Sequence, residues 1–179
     1  MTMELKDWTI LSDSPSVGLV IPEEPEYTYD LFNITDSEAV VYGERRWGIN
    51  LKWGDPTKSN NVRFRRESGS TEAIKFEEPI AINIRGGGYL VYQPDRWGIN
   101  LGWSNTPKYE WLILGDTAGN QVPVGKAVGL YSLVEKDSIA YEGRDWGINL
   151  KWFKDAGKWT KLRKLWEAGE IVRDVYNYF

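Results

Sequence analysis

Three copies of Trp-Gly-Ile-Asn-Leu-x-Trp hold the residues best suited to chemistry in this chain. They place Trp47, Trp97 and Trp146 directly after Arg46, Arg96 and Asp145, and three positions before Asn50, Asn100 and Asn149. An indole offers a large flat apolar face with one polar handle. Guanidinium, carboxylate and amide groups beside it supply donors and acceptors. That set suits noncovalent capture of a flat polar molecule, above all a sugar whose apolar face stacks while its hydroxyls hydrogen-bond. It does not suit bond breaking. The chain has no histidine and no cysteine, which excludes Ser-His-Asp and Cys-His catalysis and His- or Cys-ligated zinc. No metal-ligand spacing and no paired-carboxylate constellation occurs. Gly86-Gly87-Gly88 follows Arg85 but precedes no helix, so it reads as a turn rather than a phosphate cradle. The expectation is a binding protein without enzymatic activity, cofactor or metal, with an enzyme using carboxylates or tyrosine kept only as a remainder. A competing structural reading exists for each candidate. The turn tryptophans would fold over the strand ends as plugs, and the asparagines would satisfy the backbone of their own loops.

The elements that position these residues follow from the repeat itself. Trp47 to Trp97 is 50 positions and Trp97 to Trp146 is 49. Before each motif stand Val40-Val41-Tyr42, Leu90-Val91-Tyr92 and Ile139-Ala140-Tyr141, and before those Phe32-Asn33-Ile34, Ile82-Asn83-Ile84 and Tyr131-Ser132-Leu133. These runs alternate at period two, as half-buried strands do. Gly43, Pro94-Asp95 and Gly143 mark hairpin turns between them. On the same parity Trp53, Trp103 and Trp152 are predicted to face inward or seal the barrel, and Trp8 and Trp111 read as structural. A fourth strand per repeat is clearest at Tyr109–Leu114, with Asn61-Val62-Arg63-Phe64 in its place after the first repeat. Asp7-Trp8-Thr9-Ile10-Leu11 matches Glu110-Trp111-Leu112-Ile113-Leu114 yet precedes the first repeat. The amino-terminal strand is therefore predicted to supply the last strand of the third repeat, giving twelve strands in all.

Twelve strands in three units of this length predict an all-β fold, a β-trefoil, with a threefold β-prism as the alternative. Each repeat resembles the ricin-B type β-trefoil unit, which is similar in scaffold to fascin-like and growth-factor-like trefoils. Ile-Asn-Leu stands where that unit has Ile-Gln-Leu, and Glu110-Trp111-Leu112-Ile113 resembles the tail of its Gln-x-Trp segment. The resemblance spans roughly residues 7–155. It implies a sugar-gripping Asp at Val41, Val91 and Ala140, and a stacking aromatic at Lys52, Gly102 and Lys151, none of which this chain has. The Gln of Gln-x-Trp is likewise replaced, around Asn60 and Tyr109. A shared trefoil scaffold leaves function to be argued from the site.

The predicted organisation is a trefoil domain over 1–157, with repeats at about 27–66, 79–115 and 126–157 and the closing strand at 7–12. An amphipathic helical extension is predicted over 158–179, on the three- and four-residue spacing of Leu162, Leu165, Trp166, Val172, Val175, Tyr176 and Phe179. A net charge of −4 and a pI near 5.1 argue against nucleic acid as partner. No apolar run approaches the ~18 residues of a membrane span. The start lacks a basic segment followed by an apolar one, so a cytoplasmic or leaderless, released protein is expected. Asp30, Asp95 and Glu44 read as solvated loop charges. The function expected is lectin-like carbohydrate binding at up to three symmetry-related sites, each a turn tryptophan with its neighbouring Arg or Asp and strand Asn. The alternative is a protein-binding module: a protease inhibitor, a cytoskeletal partner or a targeting component of a toxin. The predicted helix would then serve a protein partner or self-association.

Overall fold

Short runs of β-branched and aromatic residues, interrupted repeatedly by glycine, proline and aspartate, leave room for strands and little else. The computed structural model describes residues 5–14, 18–22, 26–56 and 60–157. In it twelve strands follow in order: β1 (Trp8–Leu11), β2 (Asp30–Asn33), β3 (Glu38–Tyr42), β4 (Leu51–Gly54), β5 (Val62–Arg66) and β6 (Ile80–Ile84). Then come β7 (Gly88–Tyr92), β8 (Leu101–Ser104), β9 (Trp111–Leu114), β10 (Ala127–Ser132), β11 (Asp137–Tyr141) and β12 (Leu150–Trp152). A 3-10 turn at Phe153–Asp155 ends the described chain, which contains no α-helix. The helix predicted over 158–179 lies outside the described residues.

All the strands join one curled antiparallel sheet, and its pairings repeat. β6 pairs with β5, β7 and β9, and β10 pairs with β9, β11 and β1. β2 pairs with β1 and β3, and Tyr29 just before it bridges to Val62 of β5. β3–β4, β7–β8 and β11–β12 form three equivalent hairpins. β1 thus holds, between β10 and β2, the place that β9 holds between β6 and β10. Arg85 to Gly87 make the turn between β6 and β7, with positive φ at Gly86 and at Gly88, which opens β7.

Inward side chains fill the space the strands enclose. Ile10, Leu31, Phe64, Ile82, Ile113 and Leu130 belong to this buried core, and every residue of β6 is buried. Removing this apolar surface from water is the main favourable contribution to the fold. Trp8 and Trp111 are buried, and each satisfies its indole N–H on the hairpin of its own repeat: Trp8 Nε1 donates to Ile139 O (2.9 Å), Trp111 Nε1 to Leu90 O (2.7 Å). The preceding acids do the same for a backbone donor. Tyr141 N donates to Asp7 Oδ2, and Tyr92 N donates to Glu110 Oε1. One Asp/Glu-Trp dipeptide therefore pins a hairpin twice.

A second aromatic set locks repeats to one another. Trp53 packs on Tyr141, Trp103 on Tyr42 and Trp152 on Tyr92, at centroid separations of 5.8, 6.0 and 6.1 Å. Each hairpin thereby leans on its neighbour in one rotational sense. Such contacts add to area burial.

Asp30 corrects the reading of a solvated loop charge. It opens β2 at 3% exposure, and its Oδ1 accepts from both the backbone N and the side-chain Nδ2 of Asn61, each at 3.2 Å. Burial pushes its carboxyl up to about 6 against the opposing effect of those hydrogen bonds. With the folded value above the unfolded one, the ionised form costs the fold. Stability should rise as pH falls through 6 and level off near the ordinary carboxylate value. Asp30→Asn keeps the acceptor and removes the charge. At pH 7.5 it should gain about 1–2 kcal/mol, or roughly 3–6 °C in thermal melting, and the gain should vanish near pH 4. An Asp30→Asn protein no more stable at pH 7.5 than at pH 4, relative to wild type, would contradict this account.

Candidate functional site

The turns joining β3 to β4, β7 to β8 and β11 to β12 share one construction. Asn50 Oδ1 accepts from Arg45 N (2.9 Å), Asn100 Oδ1 from Asp95 N (2.9 Å) and Asn149 Oδ1 from Arg144 N (3.0 Å). The same asparagines accept through their carbonyls from Gly43, Gln93 and Glu142 N. Their side-chain oxygens thus brace the turns that carry the tryptophans. Ile49, Ile99 and Ile148 are buried beneath, which draws the three turn tips inward.

At the tips the backbones meet. A Cβ added at Gly48 would lie 3.1 Å from Gly147 Cα, one at Gly147 3.1 Å from Gly98 Cα, and one at Gly98 3.1 Å from Gly48 Cα. Gly48 and Gly147 also hold positive φ, which a side chain disfavours. The glycine after each tryptophan is thus favoured by close contact in all three turns and by backbone conformation in two of them.

This convergence joins the three predicted candidates into one cluster. Trp47 and Trp97 lie 5.1 Å apart between centroids, Trp47 and Trp146 5.9 Å, and Trp97 and Trp146 6.1 Å. The rings are tilted or edge-on, the favourable geometry for aromatic pairs. They pack on one another and are still not covered: Trp97 is 38% and Trp146 51% exposed. The three turns share one composite surface instead of presenting three separate ones.

The copies differ in charge. Arg46 lies over the Trp47 ring at 5.2 Å and Arg96 over Trp97 at 4.9 Å. Asp145 takes that position in the third turn, and among the described residues no guanidinium lies over Trp146. Asp95, read from sequence as a solvated loop charge, accepts from Trp97 N at 2.9 Å and holds its turn. It stands where the other turns have Arg45 and Arg144. Arg45 donates to Leu51 O (3.3 Å) and across to Gly147 O (2.5 Å), and Arg144 donates to Leu150 O (3.2 Å).

Between the first and third turns opens a cleft of about 450 Å³, lined by Arg45, Arg46, Trp47, Lys52, Arg144 and Trp146, with Glu44 and Asp145. Arg45, Lys52 and Arg144 were not among the sequence candidates. Comparing the copies position by position is the signal that finds them, because the second repeat replaces Arg by Asp95 and Lys by Gly102. A second cavity of about 550 Å³ lies against β9 and β10, lined by Leu5, Leu112, Leu114, Tyr131, Leu133 and Phe153 with charged residues at its rim. Among the described residues no group of three or more acids is placed to hold a metal ion, and no helix is long and apolar enough to cross a membrane. Comparison with protein-family models, curated proteins and solved structures finds no match.

Gly98→Ala tests the convergence without backbone strain, since Gly98 lacks the positive φ of its two counterparts. The added methyl meets backbone, not a yielding side chain. It should cost about 1–3 kcal/mol, lowering Tm by roughly 3–10 °C. A melt within a degree of wild type would mean that the turns part freely.

Proposed function

We propose that this chain is a non-enzymatic, lectin-like carbohydrate-binding module on a β-trefoil scaffold resembling the ricin-B and fascin-like repeats. For the scaffold, the support is the threefold recurrence of pairings, with β1, β5 and β9 each set between two central strands. For the function, one observation carries the reading. Two large indoles, Trp97 and Trp146, remain substantially exposed on a cluster beside a polar cleft. Aromatic surface beside convergent hydrogen-bonding groups is the arrangement that takes a sugar's apolar face and its hydroxyls together. The positions a ricin-B site would use are unsuited to it, since Val91 and Ala140 are buried and neither can accept a hydroxyl. Binding in this protein moves to the turns on the axis.

Trp97→Ala combined with Trp146→Ala removes the exposed rings and keeps Trp47 over the axis. The double variant should stay folded by near-ultraviolet circular dichroism and lose about tenfold or more in glycan-array binding, at ~0.5–1.5 kcal/mol per stacked ring. A folded variant with undiminished binding, or a wild type that binds no glycan, removes this reading.

The protein-binding reading rests on a different observation. Leu133 and Val134 are 40% and 52% exposed, and Leu133 lines the cavity against β9 and β10, an apolar patch of the kind protein partners use. Protease inhibition and actin co-sedimentation, measured with wild type and Leu133→Asp, decide it. The lectin reading expects neither activity in wild type. An activity abolished by Leu133→Asp supports a protein-binding module.

A further inference from the structure

We infer that the cleft between the first and third turns binds an acidic saccharide, its anionic group held by the cations of the cleft and its ring resting on Trp146. This inference rests on the carbohydrate reading and narrows it to one seam and one ligand class.

Charge is the first ground. Arg45, Arg46, Lys52 and Arg144 line the cleft against only Glu44 and Asp145, in a chain whose net charge is −4. Among the described residues none of these four cations forms an ion pair with a carboxylate. Arg45 and Arg144 spend donors on backbone carbonyls, which orient them and leave their charge uncompensated. Lys52 shows how the excess arises. Its counterpart Lys151 pairs with Glu142 at 3.0 Å. The residue matching Glu142 in the first repeat is Gly43, over which the Lys52 stem lies so closely that a Cβ there would come 2.6 Å from Lys52 Cδ. The first repeat thus keeps the lysine and lacks its acid.

The platform is the second ground. Trp47 and Trp97 each carry an arginine over the ring, whereas Asp145 replaces that arginine before Trp146. Trp146 is the more exposed of the two exposed turn indoles and lines the cleft. Asp145 adds an acceptor for sugar hydroxyls at the same edge. An exposed indole, a hydroxyl acceptor and a set of cations unpaired among the described residues, within one cleft, match a sugar bearing a carboxylate or sulfate. Guanidinium groups grip such oxyanions by paired hydrogen bonds. The seam next to the second turn lacks this chemistry, because Asp95 and Gly102 stand where Arg and Lys would.

Isothermal titration of the full chain with α-1,4-linked trigalacturonate and with neutral galactotriose tests it, since the two differ only at C6. At low salt trigalacturonate should bind about tenfold tighter or more, and the preference should shrink as salt screens it. Arg46→Gln with Lys52→Gln replaces two exposed side chains and should bring the ratio of the two affinities to about one. Trp146→Ala should weaken trigalacturonate on its own. Equal binding of both sugars by wild type overturns this inference and leaves the carbohydrate reading standing. A ratio that persists in the double variant, or a trigalacturonate affinity indifferent to Trp146→Ala, overturns the placement in this cleft. Failure of wild type to bind either sugar, or any other glycan, removes both.

Discussion

The close approach of three glycines sets the geometry of the face where the three turns meet. Gly48, Gly98 and Gly147 approach so closely that any side chain would meet the backbone of a neighbouring turn. With the glycines on the axis, the preceding tryptophans must lie side by side and the following isoleucines must go beneath them. The contact gives little attraction of its own. It is a steric permission, and the burial of Ile49, Ile99 and Ile148 below provides the force that closes it.

Around that axis aromatic contacts act in two tiers. The lower tier locks each hairpin to the next repeat through Trp53–Tyr141, Trp103–Tyr42 and Trp152–Tyr92. These three rings contribute packing surface: Trp152 belongs to the buried core, and Trp53 and Trp103 pack against it. The upper tier, Trp47, Trp97 and Trp146, stays partly in water. A shared backbone has left the turn charges free to diverge, and they have: two turns carry arginine over the ring, one carries aspartate, and the second repeat has lost both the turn arginine and the strand lysine. Threefold structure and onefold chemistry coexist because backbone geometry constrains the glycine, isoleucine and asparagine and leaves their neighbours unconstrained.

Much of this was legible in the residues themselves. Trp-Gly-Ile-Asn-Leu-x-Trp three times, with period-two runs before it, gives the hairpins and their inward tryptophans. The match of Asp7-Trp8 to Glu110-Trp111 corresponds to two equivalent pins, each with an indole on a carbonyl and a carboxylate on a tyrosine N–H. What could not be read was how the turns sit relative to one another. Three tryptophans spaced by about fifty residues look alike whether they form three sites or one, since only tertiary closure brings Gly48 beside Gly98 and Gly147. The same limit hid the cleft. Arg45 and Arg144 are ordinary turn arginines until two turns face each other across a gap. Asp30 escaped for a related reason: it is an acid beside a tyrosine in sequence, and only the approach of Asn61 from another strand shows it as a buried, hydrogen-bonded carboxylate.

The proposed ligand chemistry would reside where the three turns meet and in the first–third seam, apart from the buried tryptophans. The indole ¹⁵N–¹H spectrum addresses this directly, because the chain's ten tryptophans each give one cross-peak assignable by substitution. Titration with trigalacturonate should shift the peaks of Trp146 and Trp47 and leave those of Trp8 and Trp111, which are locked to Ile139 and Leu90 carbonyls, in place. Turn indoles that do not move, whether or not others do, would contradict the account.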